Sequence, residues 1–165
     1  MLFNSYIYIL LFLPVVAASY FVAGAHLHRK LSISWLVIAS LFFYGWWSPL
    51  YLPLIIGSAL FNFFAGAAIR RGKSENSGHA LPLMILGVTV NLLLLGYFKY
   101  FNFFIDNVNV LFNADIYVAP IFLPLAISFF TFQQISYLVD AYSRGTKDYN
   151  FIHYMLFVTF FPQLI

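Results

Sequence analysis

The sequence has no cysteine. Within these 165 residues that excludes disulfides, thiolate metal sites and a thiol nucleophile, and it leaves the compartment open. Charge is almost as scarce: 8% of the residues are Asp, Glu, Lys or Arg. A soluble domain carries about a quarter. With 63% hydrophobic residues, the chain would expose far larger apolar patches in water than soluble monomers tolerate. Lipid is therefore the solvent for most of its surface. The net charge of +3 is small, and no basic stripe with interleaved aromatics marks a polar face, so nucleic acid is excluded as a partner. A cleavable leader is not indicated either. Residues 1–6 contain no Lys or Arg, so the basic start of a signal peptide is missing.

What remains is a succession of apolar segments. Five of them, at 6–25, 32–48, 50–69, 81–98 and 118–140, are long enough to cross or nearly cross a bilayer. A sixth begins near 151, and the chain stops within it. The expected fold is all-α, a polytopic transmembrane helical bundle. The segments are separated by polar, proline-bearing or glycine-bearing stretches, as helix ends should be. The clearest loop runs from Arg70 to His79, and Trp46-Trp47-Ser48-Pro49 is a tight aromatic turn. Residues 99–117 mix Phe101, Phe103 and Phe104 with Asn102, Asp106, Asn107 and Asn109, which suits a segment lying in the interface.

Charge placement gives an orientation. The first, third and fifth loops hold Arg29, Lys30, Arg70, Arg71, Lys73, Arg144 and Lys147, while the even loops hold only Lys99. The positive-inside rule then puts the odd loops in the cytoplasm and the N-terminus outside. Trp46 and Trp47 fall at the outer interface, where amphipathic rings sit.

Polar residues inside apolar segments need partners, because an unpaired polar group in hydrocarbon costs several kcal/mol. Ser58, Asn62, Ala65 and Gly66 share one helical face, as do Gly87 and Asn91, and the expected role of both sets is close helix packing. Gln133, Ser136, Tyr137 and Asp140 form a stripe on the fifth segment. That stripe is either a wall of a substrate path or a polar helix contact ending in an Asp near water. Lys99, among Tyr97, Tyr100 and Phe101, suits an interfacial anchor that snorkels. His26 and His28 have no neighbouring carboxylate or thiolate, so no metal site is expected. His153, opening the last apolar run, is either an interfacial residue, which is the expectation, or an intramembrane base.

Several strings are specific. They are Met1-Leu2-Phe3-Asn4-Ser5-Tyr6, Phe42-Phe43-Tyr44-Gly45-Trp46-Trp47, Leu95-Gly96-Tyr97-Phe98-Lys99-Tyr100-Phe101-Asn102-Phe103, Leu123-Pro124-Leu125-Ala126-Ile127-Ser128-Phe129-Phe130-Thr131-Phe132-Gln133, Ile135-Ser136-Tyr137-Leu138-Val139-Asp140, and the closing Phe160-Phe161-Pro162-Gln163-Leu164-Ile165. In this order they resemble the start of membrane-bound O-acyltransferases of the alginate O-acetylation type, along nearly the whole chain. The resemblance implies an incomplete scaffold of that family, present as its N-terminal portion in the bacterial inner membrane. It implies acetyl transfer to hydroxyls of an extracytoplasmic polysaccharide. The acyl donor would be acetyl-CoA or an acyl carrier, and a partner acetyltransferase is an alternative recipient. No bound cofactor is implied. The family's catalytic histidine, a general base, belongs to a later membrane segment, so no catalytic residue is expected here and the portion alone is expected to be inactive. Lys99, Gln133 and Asp140 fall inside the matching strings as substrate-path or structural positions. Alternatives are D-alanyl transfer to teichoic acid by the same scaffold, a transporter, or a non-catalytic membrane fragment.

Overall fold

The computed structural model describes residues 5–26, 29–75, 77–112, 117–144 and 150–163. His28, Lys147 and the first four and last two residues of the matching strings lie outside them. Among the described residues every regular element is a helix. A π-helical turn, Tyr8–Phe12, leads into α1 (Leu13–His26), followed by α2 (Arg29–Trp47), α3 (Leu52–Ser74), α4 (Ala80–Phe112), α5 (Ile127–Arg144) and α6 (Phe151–Thr159). Two helical stretches, Pro49–Ser74 and Ala80–Phe112, are long and apolar enough to cross a membrane.

Local chemistry explains the breaks. Ser48 is extended (φ −153°, ψ 100°), as the residue before a proline is biased to be, and a 3₁₀ turn at Pro49–Tyr51 then opens α3. Between α3 and α4, Ser77 donates to the Gly72 carbonyl with both its backbone N–H and its hydroxyl, at 3.0 Å each. Gly78 completes that turn at φ +69°, a conformation glycine adopts without penalty. Asn150 caps α6, its side chain accepting from the Ile152 N–H at 3.0 Å.

Two differences from the sequence-based expectation stand out. Residues 99–112, expected to lie in the interface, continue α4 without a break. The fifth segment, expected over 118–140, is helical only from Ile127. Pro120 and Pro124 account for the late start, since each lacks an N–H and disfavours helix at the residue before it. The preceding stretch is held by side chains instead. Asn102 donates to the Ile121 carbonyl at 2.8 Å and accepts from the Ile121 N–H at 3.0 Å, and the Tyr51 hydroxyl donates to the Phe122 carbonyl at 2.6 Å.

The helices α3, α4 and α5 pack mutually, and α2 pairs with α1 on one side and α6 on the other. Tyr137 of α5 sits against Gly66 of α3, and Leu138 against Gly87 of α4. A second, aromatic cluster joins Tyr8, Phe12, Phe43 and Phe161, with the rings of Phe12 and Phe161 5.3 Å apart. The Lys73 ammonium at the end of α3 donates to the Tyr142 and Ser143 carbonyls at the end of α5. These two helices therefore run parallel, with α4 antiparallel to them and packed against both. Arg70, Arg71, Lys73 and Arg144 consequently share one end of the bundle, where cations also complement the helix C-termini. Arg71 lies 2.9 Å from Glu75, one turn on at the end of α3.

Candidate functional site

α5 carries polar side chains on two faces, because neighbouring residues on a helix point about 100° apart. Gln134 faces α3 and α4. Its Oε1 accepts from the Ser58 hydroxyl at 2.6 Å and from Asn62 Nδ2 at 2.9 Å. Asn62 and Asn91 exchange amide hydrogen bonds at 3.1 and 2.6 Å, so one network ties three helices together. Asn91 Nδ2 also donates to the Gly87 carbonyl at 2.7 Å, and Asn62 Nδ2, with two hydrogens for three acceptors, shares one of them with the Ser58 carbonyl at 2.9 Å. All three amides are at most 2% exposed. The packing role expected for the two faces of α3 and α4 is what the structure has, and the α5 partner, Gln134, is new. The Gln133-Gln134 doublet was the available signal. One of two adjacent amides must face a different neighbour from the other.

Gln133 opens the second face. It is buried, and both amide atoms lack a hydrogen-bond partner among the described residues. One turn on, Ser136, Tyr137 and Asp140 line a cleft of about 240 Å³ between α5 and α6, closed on the other side by His153, Tyr154 and Phe157. Its back wall is the Tyr137–Tyr154 pair, whose ring centroids are 4.3 Å apart. Tyr137 is fixed from behind by Arg70, whose Nη1 donates to its hydroxyl at 3.0 Å and whose guanidinium lies 5.6 Å from its ring centre. Asp140 is half-buried, with Oδ1 3.6 Å from Arg144 Nε. His153 is exposed in the first turn of α6.

Of the three positions singled out from the sequence, Gln133 and Asp140 lie on the same stripe of α5. Lys99 does not join them. It is exposed on the far part of α4, its Nζ 5.5 Å from the Tyr100 ring centre. No group of three or more His, Asp or Glu residues placed to hold a metal occurs among the described residues. The cleft offers a carboxylate, a hydroxyl and an imidazole against aromatic walls, which suits binding and orienting a polar group at the edge of an apolar space. Among the described residues no hydrogen bond joins Ser136 to His153 or Asp140.

Along its whole length the chain is 39% identical to the peptidoglycan O-acetyltransferase of Helicobacter pylori, of which it spans 36%. It is 38% identical, again over its whole length, to the probable alginate O-acetylase of Pseudomonas aeruginosa, spanning 32% of that protein. The probable alginate O-acetylase of Azotobacter vinelandii is 35% identical over all of the chain, which spans 33% of it. The chain thus spans about a third of the length of the curated relatives it matches. No family model matches it, and no solved structure does.

Proposed function

Since the chain belongs with these proteins to the membrane-bound O-acyltransferase family, we propose that it supplies part of the membrane scaffold of an enzyme transferring acetyl groups to hydroxyls of an extracytoplasmic polysaccharide. The observation that carries this is the full-length similarity to relatives named for two acceptors, peptidoglycan and alginate. Both are polymers of sugars, so the common denominator is a sugar hydroxyl. The relatives are named for acetyl transfer, which favours acetyl over D-alanyl as the group moved. The donor is acetyl-CoA or an acyl carrier reached from the cytoplasm. The polysaccharide, or a partner acetyltransferase, receives the group on the other side.

The chain's own residues hold the helices in register through the Ser58–Asn62–Asn91–Gln134 network. None of them is assigned to the chemical step. The general base expected for the family lies in another segment, so the 165-residue chain reconstituted alone gives no acetyl transfer, and measured turnover would overturn that assignment. Deleting the gene that encodes the chain lowers the base-labile O-acetate on the envelope polysaccharide, and its return restores it. Unchanged ester content sinks the proposal.

The orientation proposed is an inner-membrane protein with its N-terminus outside. Gathering Arg70, Arg71, Lys73 and Arg144 at one end supports it. The absence of cysteine makes the test clean. Ser74→Cys and Thr146→Cys react with a membrane-impermeant maleimide only after the cytoplasmic side is opened, and reaction in intact cells would reverse the assignment.

A further inference from the structure

The outward surface between α5 and α6 is built for lipid. Phe132, Val139 and Phe157 are exposed there. The cleft breaks this apolar surface with Ser136, Asp140 and His153. Their depth is fixed by neighbours. Asp140 lies one turn from Arg144 at the end of α5. Arg70, which must keep its charge at water, bonds to the Tyr137 hydroxyl in the cleft's back wall. The Asp140 carboxylate is therefore at the level of lipid headgroups, on the basic face of the bundle. Ser136 and Phe157 lie one turn deeper along their helices, four residues from Asp140 and His153 respectively. From rim to depth the lining passes from charged to hydroxyl to aromatic.

We propose that this cleft holds the headgroup of an amine-bearing phospholipid. The ammonium pairs with the Asp140 carboxylate. The phosphate takes a hydrogen bond from the His153 imidazole and faces the exposed guanidinium of Arg144. The first part of an acyl chain runs over Phe157 and the Tyr137–Tyr154 wall. Charge complementarity selects this occupant. The Asp140–Arg144 pair, 3.6 Å apart with its guanidinium largely exposed, offers both signs beside the His153 imidazole and matches a zwitterion whose cation and anion lie a few bonds apart. A purely anionic headgroup would draw Arg144 away and leave Asp140 without its counter-charge. The proposal is independent of acetyl transfer, and its readout requires none.

The test is native mass spectrometry of the full chain in detergent, titrated with dioleoyl phosphatidylethanolamine or dioleoyl phosphatidylglycerol. The ethanolamine lipid is retained about tenfold better, the size expected for one charge-assisted hydrogen bond. Asp140→Asn removes that preference, and His153→Ala weakens retention of both lipids. Phe157→Trp, at an exposed position that leaves the core intact, fills the cleft and lowers retention of the ethanolamine lipid. Asp106→Asn, near the far end of α4, changes nothing. Equal retention of the two lipids by the unsubstituted chain overturns the proposal, as does an unchanged preference in both Asp140→Asn and Phe157→Trp. Displacement of the bound lipid by acetyl-CoA would assign the cleft to the acyl donor instead.

Discussion

Gly66 has no room for a side chain. A Cβ there would fall 2.4 Å from Tyr137 Cε1 and 2.8 Å from its hydroxyl oxygen, so the ring itself must move. Gly66→Ala therefore costs about 1–3 kcal/mol, the usual range for overpacking. It also disturbs the Arg70–Tyr137 hydrogen bond. Thermal unfolding in detergent should show the loss, and pairing Gly66→Ala with Tyr137→Ala should recover part of it, since the clash then has no second party. An additive double variant would mean that the two helices do not meet there. The same scale holds the reciprocal Asn62–Asn91 amide pair. Removing one partner takes the donor from the other's buried amide oxygen, while removing both removes both oxygens. A double-mutant cycle of Asn62→Leu and Asn91→Leu should give a coupling of about 0.6–1.7 kcal/mol, the range found between membrane helices. Zero coupling would exclude the bond. These residues were legible in the sequence as faces of small and amide side chains. What periodicity withholds is which face meets which helix. For that reason Gln134, deep in the network, escaped notice while its neighbour Gln133 did not.

At the level of elements, the stretch before α5 is where local preference and observed backbone conflict. Ala126 has φ +54°, in the left-handed region that costs an L-residue about 1–2 kcal/mol. Ala126→Gly should therefore raise the unfolding midpoint, offset in part by the extra freedom glycine has when unfolded. A lower midpoint would show that the methyl group's packing outweighs the strain. Asn102 makes a complementary prediction. Asn102→Ala removes both bonds to the Ile121 backbone, so hydrogen exchange at residues 117–126 should quicken while α3 and α5 keep their protection. Equal exchange before and after would mean that Tyr51 alone holds the segment. The prolines at 120 and 124 were visible in the sequence, yet the apolar run around them reads as a span, because hydropathy averages over the backbone breaks that prolines impose. The opposite error arose at 99–112. Asparagines and an Asp among phenylalanines look interfacial in composition, but nothing in that stretch forbids a helix, and α4 continues.

For the whole molecule, that continuation sets how the bundle sits in a bilayer. The 33 residues of α4 extend about 50 Å, against a hydrocarbon core of about 30 Å. Tilt absorbs some of the excess, but the charged groups mark the limits. Arg70, Arg71 and Lys73 stand beside the start of α4, and Lys99 lies 19 residues past Ala80, about 28 Å along the axis. That separation is one core thickness, so Lys99 reaches the opposite interface without bending its stem far. The two basic levels bracket the core, with Gly87, Asn91 and Leu95 between them. Beyond Lys99, residues 100–112 add about 20 Å of helix outside the hydrocarbon on the side away from Ser74. Cysteine labelling measures this directly. Val90→Cys, within the bracketed length, should resist an impermeant maleimide from either side. Val110→Cys should react, and from the side opposite to Ser74→Cys. Protection of Val110 in the intact membrane would mean that α4 lies strongly tilted with its far end among lipid. In that case Lys99 would have to snorkel from within the core, at the higher insertion cost of about 2.5–3.5 kcal/mol for a buried lysine.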